Sequence, residues 1–238
     1  MQHPTDNEKR QWEDEGYLVI EEAITGDELA RLQAAHRRGF VEGRSEWRRS
    51  VAAGESLPTC FAMREPFLKD QVYLDLVDHP SYLPHVVEFL GPDLICGGIH
   101  VLTVPPWPVS YTHWHPDFAP DAPLRVKVHI YIDDVGADGA GGFGVVPGTH
   151  KQDPQPYRYH RELQNMPGCK IIDGKAGTAV IFDICGLHTA MPNRSGPPRH
   201  SLFMCYDCNE GQPRDNSRHA AIAHLCTTPE RRRLLQLD

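Results

Sequence analysis

Between residues 125 and 132 the chain alternates strictly, with Val126, Val128, Ile130 and Ile132 apolar and Lys127, His129 and Tyr131 between them. A period of two is that of a strand with one face in a core and the other free to carry functional groups. Residues 199–206 repeat it less cleanly: Arg199, Ser201, Phe203 and Cys205 share one face, and Leu202, Met204 and Tyr206 the other. Further short strand candidates lie at 94–103, 143–146, 169–173 and 178–184, separated by Gly/Pro-rich turns. Upstream the pattern changes. Tyr17–Ile20 reads as a strand, and Thr25-Gly26-Asp27-Glu28 as a capping box ahead of a helical stripe beginning at Leu29 and Leu32. A second helix is predicted with Asp78 as cap, Pro80 in its first turn, Leu83, Val87 and Leu90 on one face, and Gly91 at its end.

These elements predict a mainly β protein with flanking helices. Two facing sheets, one covered by helices and the other face lining a cavity, give a double-stranded β-helix, a jelly-roll of cupin-like form. The chain is expected to form one domain over 1–238: mostly helical cover to 93, the jelly-roll core over 94–208, and a C-terminal segment from 209. There is no internal repeat and no linker long enough to divide it. Composition fits this reading, since 21 prolines and 20 glycines suit short strands between turns, and 40% hydrophobic with 24% charged residues suits a folded core. A net charge of -8 argues against a nucleic-acid or anionic-membrane partner. The arginines at 37, 38, 44, 48 and 49 read as a solvated face, with a patch that grips an anionic substrate such as a CoA thioester as the alternative. Seven unevenly spaced cysteines and the lack of a secretory leader predict a reduced, cytoplasmic protein, with Cys205 and Cys208 a lone pair rather than a zinc or redox motif. No apolar run is long enough for a membrane helix. Monomer and homodimer are equally compatible with the sequence.

The chemistry rests on a set rather than one motif. The chain has two H-x-[DE] matches, His115-Pro116-Asp117 and His160-Arg161-Glu162, which is about what chance gives in a chain this rich in both residue types. Only the first lies between strand candidates, inside the aromatic run Tyr111 to Phe118. Two imidazoles and one carboxylate on a single face are the ligand set of non-haem iron(II) oxygenases, and they leave positions open for a bidentate co-substrate and dioxygen. His188, just after the apolar strand Val180-Ile181-Phe182, is the candidate third ligand. Arg199 follows 11 residues later across a turn, and its planar guanidinium suits a carboxylate such as the distal end of 2-oxoglutarate. Ser201, on the same strand face, adds a hydroxyl.

With these residues in place the chain resembles the phytanoyl-CoA dioxygenase family of iron(II)- and 2-oxoglutarate-dependent oxygenases. The resemblance runs from Trp12 to Ile20, through Phe89 to Leu94, Pro105-Pro106 and His115-Pro116-Asp117, to Gly142 to Lys151 and the segment His188 to Arg199. It implies that His115, Asp117 and His188 hold iron and that Arg199 holds 2-oxoglutarate. The expected reaction consumes dioxygen and 2-oxoglutarate, releases succinate and carbon dioxide, and hydroxylates or desaturates a small metabolite. Asp117 favours that outcome over halide transfer, because halogenating relatives lack the carboxylate. The P-G-T-H turn ending at His150 is read as structural. His113 stands where relatives often carry glutamine. His129 or Lys127 is expected to meet the co-substrate's C1 carboxylate, with His100 also lining the site. Trp107, Tyr111, Trp114, Phe118 and Tyr131 are read as an aromatic pocket, and Met63 and Arg64 as lid residues. Three other readings stand beside this one: a metal-dependent oxygenase that uses no 2-oxoglutarate, a zinc enzyme with the same ligands, and a binding protein without turnover.

Overall fold

The alternating strand at 125–131 lies near the middle of a six-stranded antiparallel sheet, and its two faces have different fates. In the computed structural model the described residues are 3–106, 112–119, 124–136, 139, 141–152, 165–209, 217 and 219–237. The strands are β1 (Tyr17–Ile20), β2 (Phe61–Ala62), β3 (Leu94–Val104), β4 (Arg125–Tyr131), β5 (Phe143–Val145), β6 (Lys170–Ile172), β7 (Ala179–Asp183), β8 (His188–Ala190) and β9 (Arg199–Cys208). The helices are α1 (Asp6–Glu15), α2 (Gly26–Ala52), α3 (Pro66–Lys69), α4 (Gln71–Asp75), α5 (Leu83–Leu90) and α6 (Pro229–Leu234). The large sheet runs β1-β7-β4-β9-β3-β2, and a smaller one runs β6-β5-β8. Two facing antiparallel sheets with helices behind the larger one make the jelly-roll that the strand pattern predicts.

Val126, Val128, Ile130, Leu202, Met204 and Tyr206 are all fully buried beneath the helical layer. On the opposite face, Tyr131, Phe143, Val145, Ile172, Val180, Phe182 and Phe203 form a second apolar cluster between the sheets. The site opens on this side. The large sheet is therefore a partition, with a thick core behind it and a narrow lined space in front.

Two helix starts differ from expectation, and each involves a long-range contact. At Thr25 no side-chain cap forms, and Glu28, the other half of the expected box, is drawn to His79 Nε2 at 3.1 Å. The capping box lies instead at Thr5 and Glu8, at the start of α1. Asp78 does not cap α5, which begins after Tyr82 with Pro84 in its first turn. Asp78 receives Arg231 Nε and Nη2 at 3.0 and 2.6 Å and so ties α6 to the body of the fold. Gly91 does end α5, with φ 84° and its N–H on the Val87 carbonyl. All seven cysteines are free, and no helix of the described residues is long and apolar enough to cross a membrane.

Candidate active site

His115 and His188 are held side by side by their own backbones. His115 N–H donates to the His188 carbonyl at 3.1 Å, and His188 N–H returns the bond at 3.0 Å, an isolated antiparallel bridge that fastens the H-x-D segment to β8. Asp117 N–H donates to the Ile184 carbonyl at 2.8 Å, which fixes the carboxylate two residues on. Trp114, 1% exposed, anchors the segment from below. Burying an indole of this size stabilises the fold by roughly 4–6 kcal/mol. Gly144 in β5 makes room for it, since a Cβ there would lie 2.7 Å from the indole edge.

The three side chains converge. One donor atom from each of His115, Asp117 and His188 lies within 4.8 Å of the others. His115 Nε2 is 3.5 Å from Asp117 Oδ1, and His188 Nε2 is 3.8 Å from Asp117 Oδ2. Both Nδ1 atoms are occupied by backbone carbonyls, His115 with His113 and His188 with Gly186 at 2.9 Å. A neutral imidazole that donates from Nδ1 offers its lone pair at Nε2, the tautomer a metal requires. Burial pushes His188 down to about 4, against a smaller opposing pull from Asp117. Burial tends to raise Asp117, but its bond to His115, the His188 charge and Lys127 outweigh this and hold the carboxyl well below the usual range. The set is thus two imidazoles with Nε2 turned inward and one carboxylate on a single face, and it fits a divalent iron ion.

A cavity of about 190 Å³ opens at the triad, with Leu102, Phe143, Phe182 and Phe203 among its walls. A second hollow of about 280 Å³ shares His100, Asp117 and Lys127 with it and adds Gly97, Phe118, Arg125, Cys205 and Asp207. A larger hollow of about 810 Å³ lies against Glu21, Glu22, Thr25 and Asp134 and holds none of the converging residues. Residues 12–201 match the model of the phytanoyl-CoA dioxygenase family. The chain belongs to the phytanoyl-CoA dioxygenase family. Among curated relatives, ectoine dioxygenase of Streptomyces coelicolor is 24% identical over 82% of this chain and 75% of that protein. L-proline trans-4-hydroxylase of Streptomyces griseoviridis is 23% identical over 90% of this chain and 91% of that protein. Among solved structures, HygX of Streptomyces hygroscopicus with nickel, 2-oxoglutarate and hygromycin B bound superimposes with a TM-score of 0.65 at 16% identity, covering 87% of this chain and 88% of that one. The 2-oxoglutarate-dependent carbocyclase SnoK from nogalamycin biosynthesis also reaches 0.65, at 18% identity over 86% of this chain and 84% of that one. These structures share the fold.

The family's other motifs support the triad mechanically. Thr149, in the P-G-T-H turn, accepts Leu187 N–H on its hydroxyl at 2.8 Å while donating to the Val146 carbonyl at 2.6 Å. That turn therefore sets the backbone one residue before His188. Asn193, fully buried, donates to the Val104 and Pro197 carbonyls at 3.0 Å each and accepts the Ser195 hydroxyl at 2.6 Å. It shapes the turn that returns the chain to Arg199. Arg199 is 4% exposed and donates to the Gly141 and Met191 carbonyls. It lies two same-face positions along β9 from Phe203 in the wall of the inner cavity, with Ser201, also buried, between them. His129 stacks on Phe203 with centroids 4.0 Å apart, and neither of its ring nitrogens has a hydrogen-bond partner among the described residues. Burial, then the charges of Arg199, His188 and Lys127, push it well below its ordinary value. Lys127, which also lines the inner cavity, donates to Asp117 Oδ2 at 2.6 Å.

Several expected substrate contacts are displaced. Met63 is a core residue against α2, where a Cβ on Gly39 would meet its methyl at 2.3 Å. Arg64 points outward to Glu46 at 3.2 Å with its side chain 83% exposed. Tyr131 spans the two sheets, donating to the Ile172 carbonyl at 2.7 Å and accepting Phe143 N–H at 3.1 Å, so both capacities of its hydroxyl are used structurally. Trp114 is core. Phe118 lines the outer hollow and His100 lines both. Trp107, Tyr111 and the competing His160 lie outside the described residues. Arg125 and Asp207 were not among the expected site residues, although each continues the cavity-facing alternation of its strand by one step.

Proposed function

We propose that this chain is an iron(II)- and 2-oxoglutarate-dependent dioxygenase that oxidises a C–H bond of a small metabolite. Hydroxylation or desaturation would be accompanied by succinate and carbon dioxide. The observation that carries the reading is the convergence of three donor atoms whose Nδ1 partners already fix the metal-binding tautomer. His115, Asp117 and His188 would hold the metal, and bound iron supplies activation of dioxygen at the expense of 2-oxoglutarate. Arg199 brings a fixed guanidinium, oriented by two carbonyls, for the distal carboxylate. His129, buried with two uncommitted nitrogens, would donate to a co-substrate oxygen. Lys127 balances the second oxygen of Asp117 and keeps the carboxylate ionised and aimed. Phe143, Phe182 and Phe203, which line the cavity, would keep water away from a bound metal. The relatives named for ectoine and L-proline support a small-molecule substrate. Of the arginines on α2, Arg37 is bound to Asp133 and Arg38 to Asp70, as on a solvated face.

The test is anaerobic addition of iron(II) and 2-oxoglutarate, which should give a visible charge-transfer band, followed by oxygen-dependent succinate release. Activity restored to apoprotein by zinc but not by iron, or product without succinate, would overturn the assignment.

A further inference from the structure

Resting on that reading, we infer that the outer hollow selects a small zwitterion, with Arg125 taking a substrate carboxylate and Asp207 a substrate ammonium. The two residues face each other across the β4–β9 ladder, each on the strand face that carries Lys127 and Cys205, and both line the hollow that contains Asp117. Position along the strands orders the site. Arg199 stands at the inner end of β9 and Asp207 eight residues further out, with the triad beside the space between them.

The pair is incompletely used. Arg125 Nε meets Asp207 Oδ1 at 3.4 Å, a single contact, whereas a committed arginine–carboxylate pair is two-pronged and shorter. Neither terminal nitrogen of Arg125 donates a hydrogen bond among the described residues. The guanidinium is held flat by the Phe118 ring, 4.3 Å below it, an attraction that orients the cation without consuming its donors. Asp207 is given room by the β-bulge in β3, where the register shifts between Cys96 and Gly98. Any side chain at Gly97 would begin 2.9 Å from Asp207 Oδ2. Bulges of this kind recur beside active sites because they re-aim neighbouring side chains.

Charge and size narrow the class further. The hollow holds two cations, Arg125 and Lys127, and two carboxylates, Asp117 and Asp207. Lys127 and Asp117 are committed to each other at 2.6 Å, so one charge of each sign is left to read a ligand. A neutral substrate would leave both half-paired, and a polyanion would meet Asp207. About 280 Å³ suits a compact molecule of amino-acid dimensions.

The experiment uses iron-loaded full-length protein and a panel of free and cyclic amino acids, each beside its carboxamide and its N-acetyl derivative. Succinate release above the substrate-free rate is the readout. At least one free zwitterion is expected to stimulate release, with kcat/KM falling at least 50-fold for its carboxamide and for its N-acetyl form. Arg125→Gln should raise KM for the zwitterion about 100-fold and erase its advantage over the carboxamide. Asp207→Asn should erase the advantage over the N-acetyl form, and Arg125→Lys should recover part of the loss. A merely structural pair would lower turnover of all three forms alike, and that result overturns the proposal. So does a panel in which no zwitterion stimulates, or in which a blocked form does as well. The charge-transfer band with 2-oxoglutarate reports on the parent reading separately: its presence with a silent panel overturns only the zwitterion, and its absence removes both.

Discussion

His36 makes the metal-free protein acid-labile in a way that can be calculated. It is fully buried between α2 and the large sheet, with Nε2 3.2 Å from the Thr103 hydroxyl, which in turn is 2.8 Å from His200 Nδ1. Burial, then the neighbouring His200 charge, push it down to about 3, from an ordinary value near 6.5 in the unfolded chain. Between these two values the unfolded state binds a proton that the folded state refuses. Stability is therefore full above about pH 6.5 and falls as pH drops toward 3, by about 1.4 kcal/mol per unit. From pH 7 to pH 5 His36 alone costs about 2 kcal/mol. Burial shifts His188 and His129 in the same direction, so both add to this loss. The assay is urea unfolding of apoprotein at pH 7, 6, 5.5 and 5. His36→Leu should shrink the difference in unfolding free energy between pH 7 and pH 5 by about 2 kcal/mol, because Thr103 keeps its bond to His200. A slope below about half a proton between pH 6 and 5, or a slope unchanged by His36→Leu, would refute a neutral buried histidine at this position.

Three further outcomes are expected. Asp117→Ala should weaken binding of nickel(II), used as a redox-inert stand-in for iron, at least 100-fold by calorimetry, while the far-ultraviolet spectrum is unchanged. Arg199→Gln should raise the KM for 2-oxoglutarate about 100-fold, with a smaller change in kcat at saturating co-substrate, read by succinate release; a KM within threefold of the parent would remove Arg199 from the co-substrate site. Gly177→Ala should cost more than about 3 kcal/mol in urea unfolding, since Gly177 has φ +88° and a Cβ there would lie 2.0 Å from the Ile24 carbonyl oxygen.

How far the sequence discloses such a site depends on whether the deciding contact is local. Alternation along β4 and β9 is local, and it separates the core face from the cavity face correctly at Val126 through Tyr131 and at Arg199 through Tyr206. The same rule extends one step outward to Arg125 and one to Asp207, so this pair was legible from period two alone once the strand was allowed its full length. Contacts that cross the chain were not legible. Glu28 and Asp78 carry good capping signatures, yet each is claimed by a partner far away in sequence, His79 and Arg231. A cap contributes about 1 kcal/mol, and a charge-assisted bond to a partly buried partner contributes more, so the tertiary contact wins at both positions. Tyr131 and Met63 illustrate the converse. An aromatic on a cavity-facing strand and a methionine in a loop are equally consistent with lining a pocket or filling a core, and only a hydroxyl with both its capacities spent, or a glycine opposite, decides between them. The conclusion for the site is physical. Residues that must touch a ligand are those whose polar atoms the fold leaves uncommitted, and by that criterion His129 and Arg125 rank above Tyr131 although all three lie on the same face of one strand.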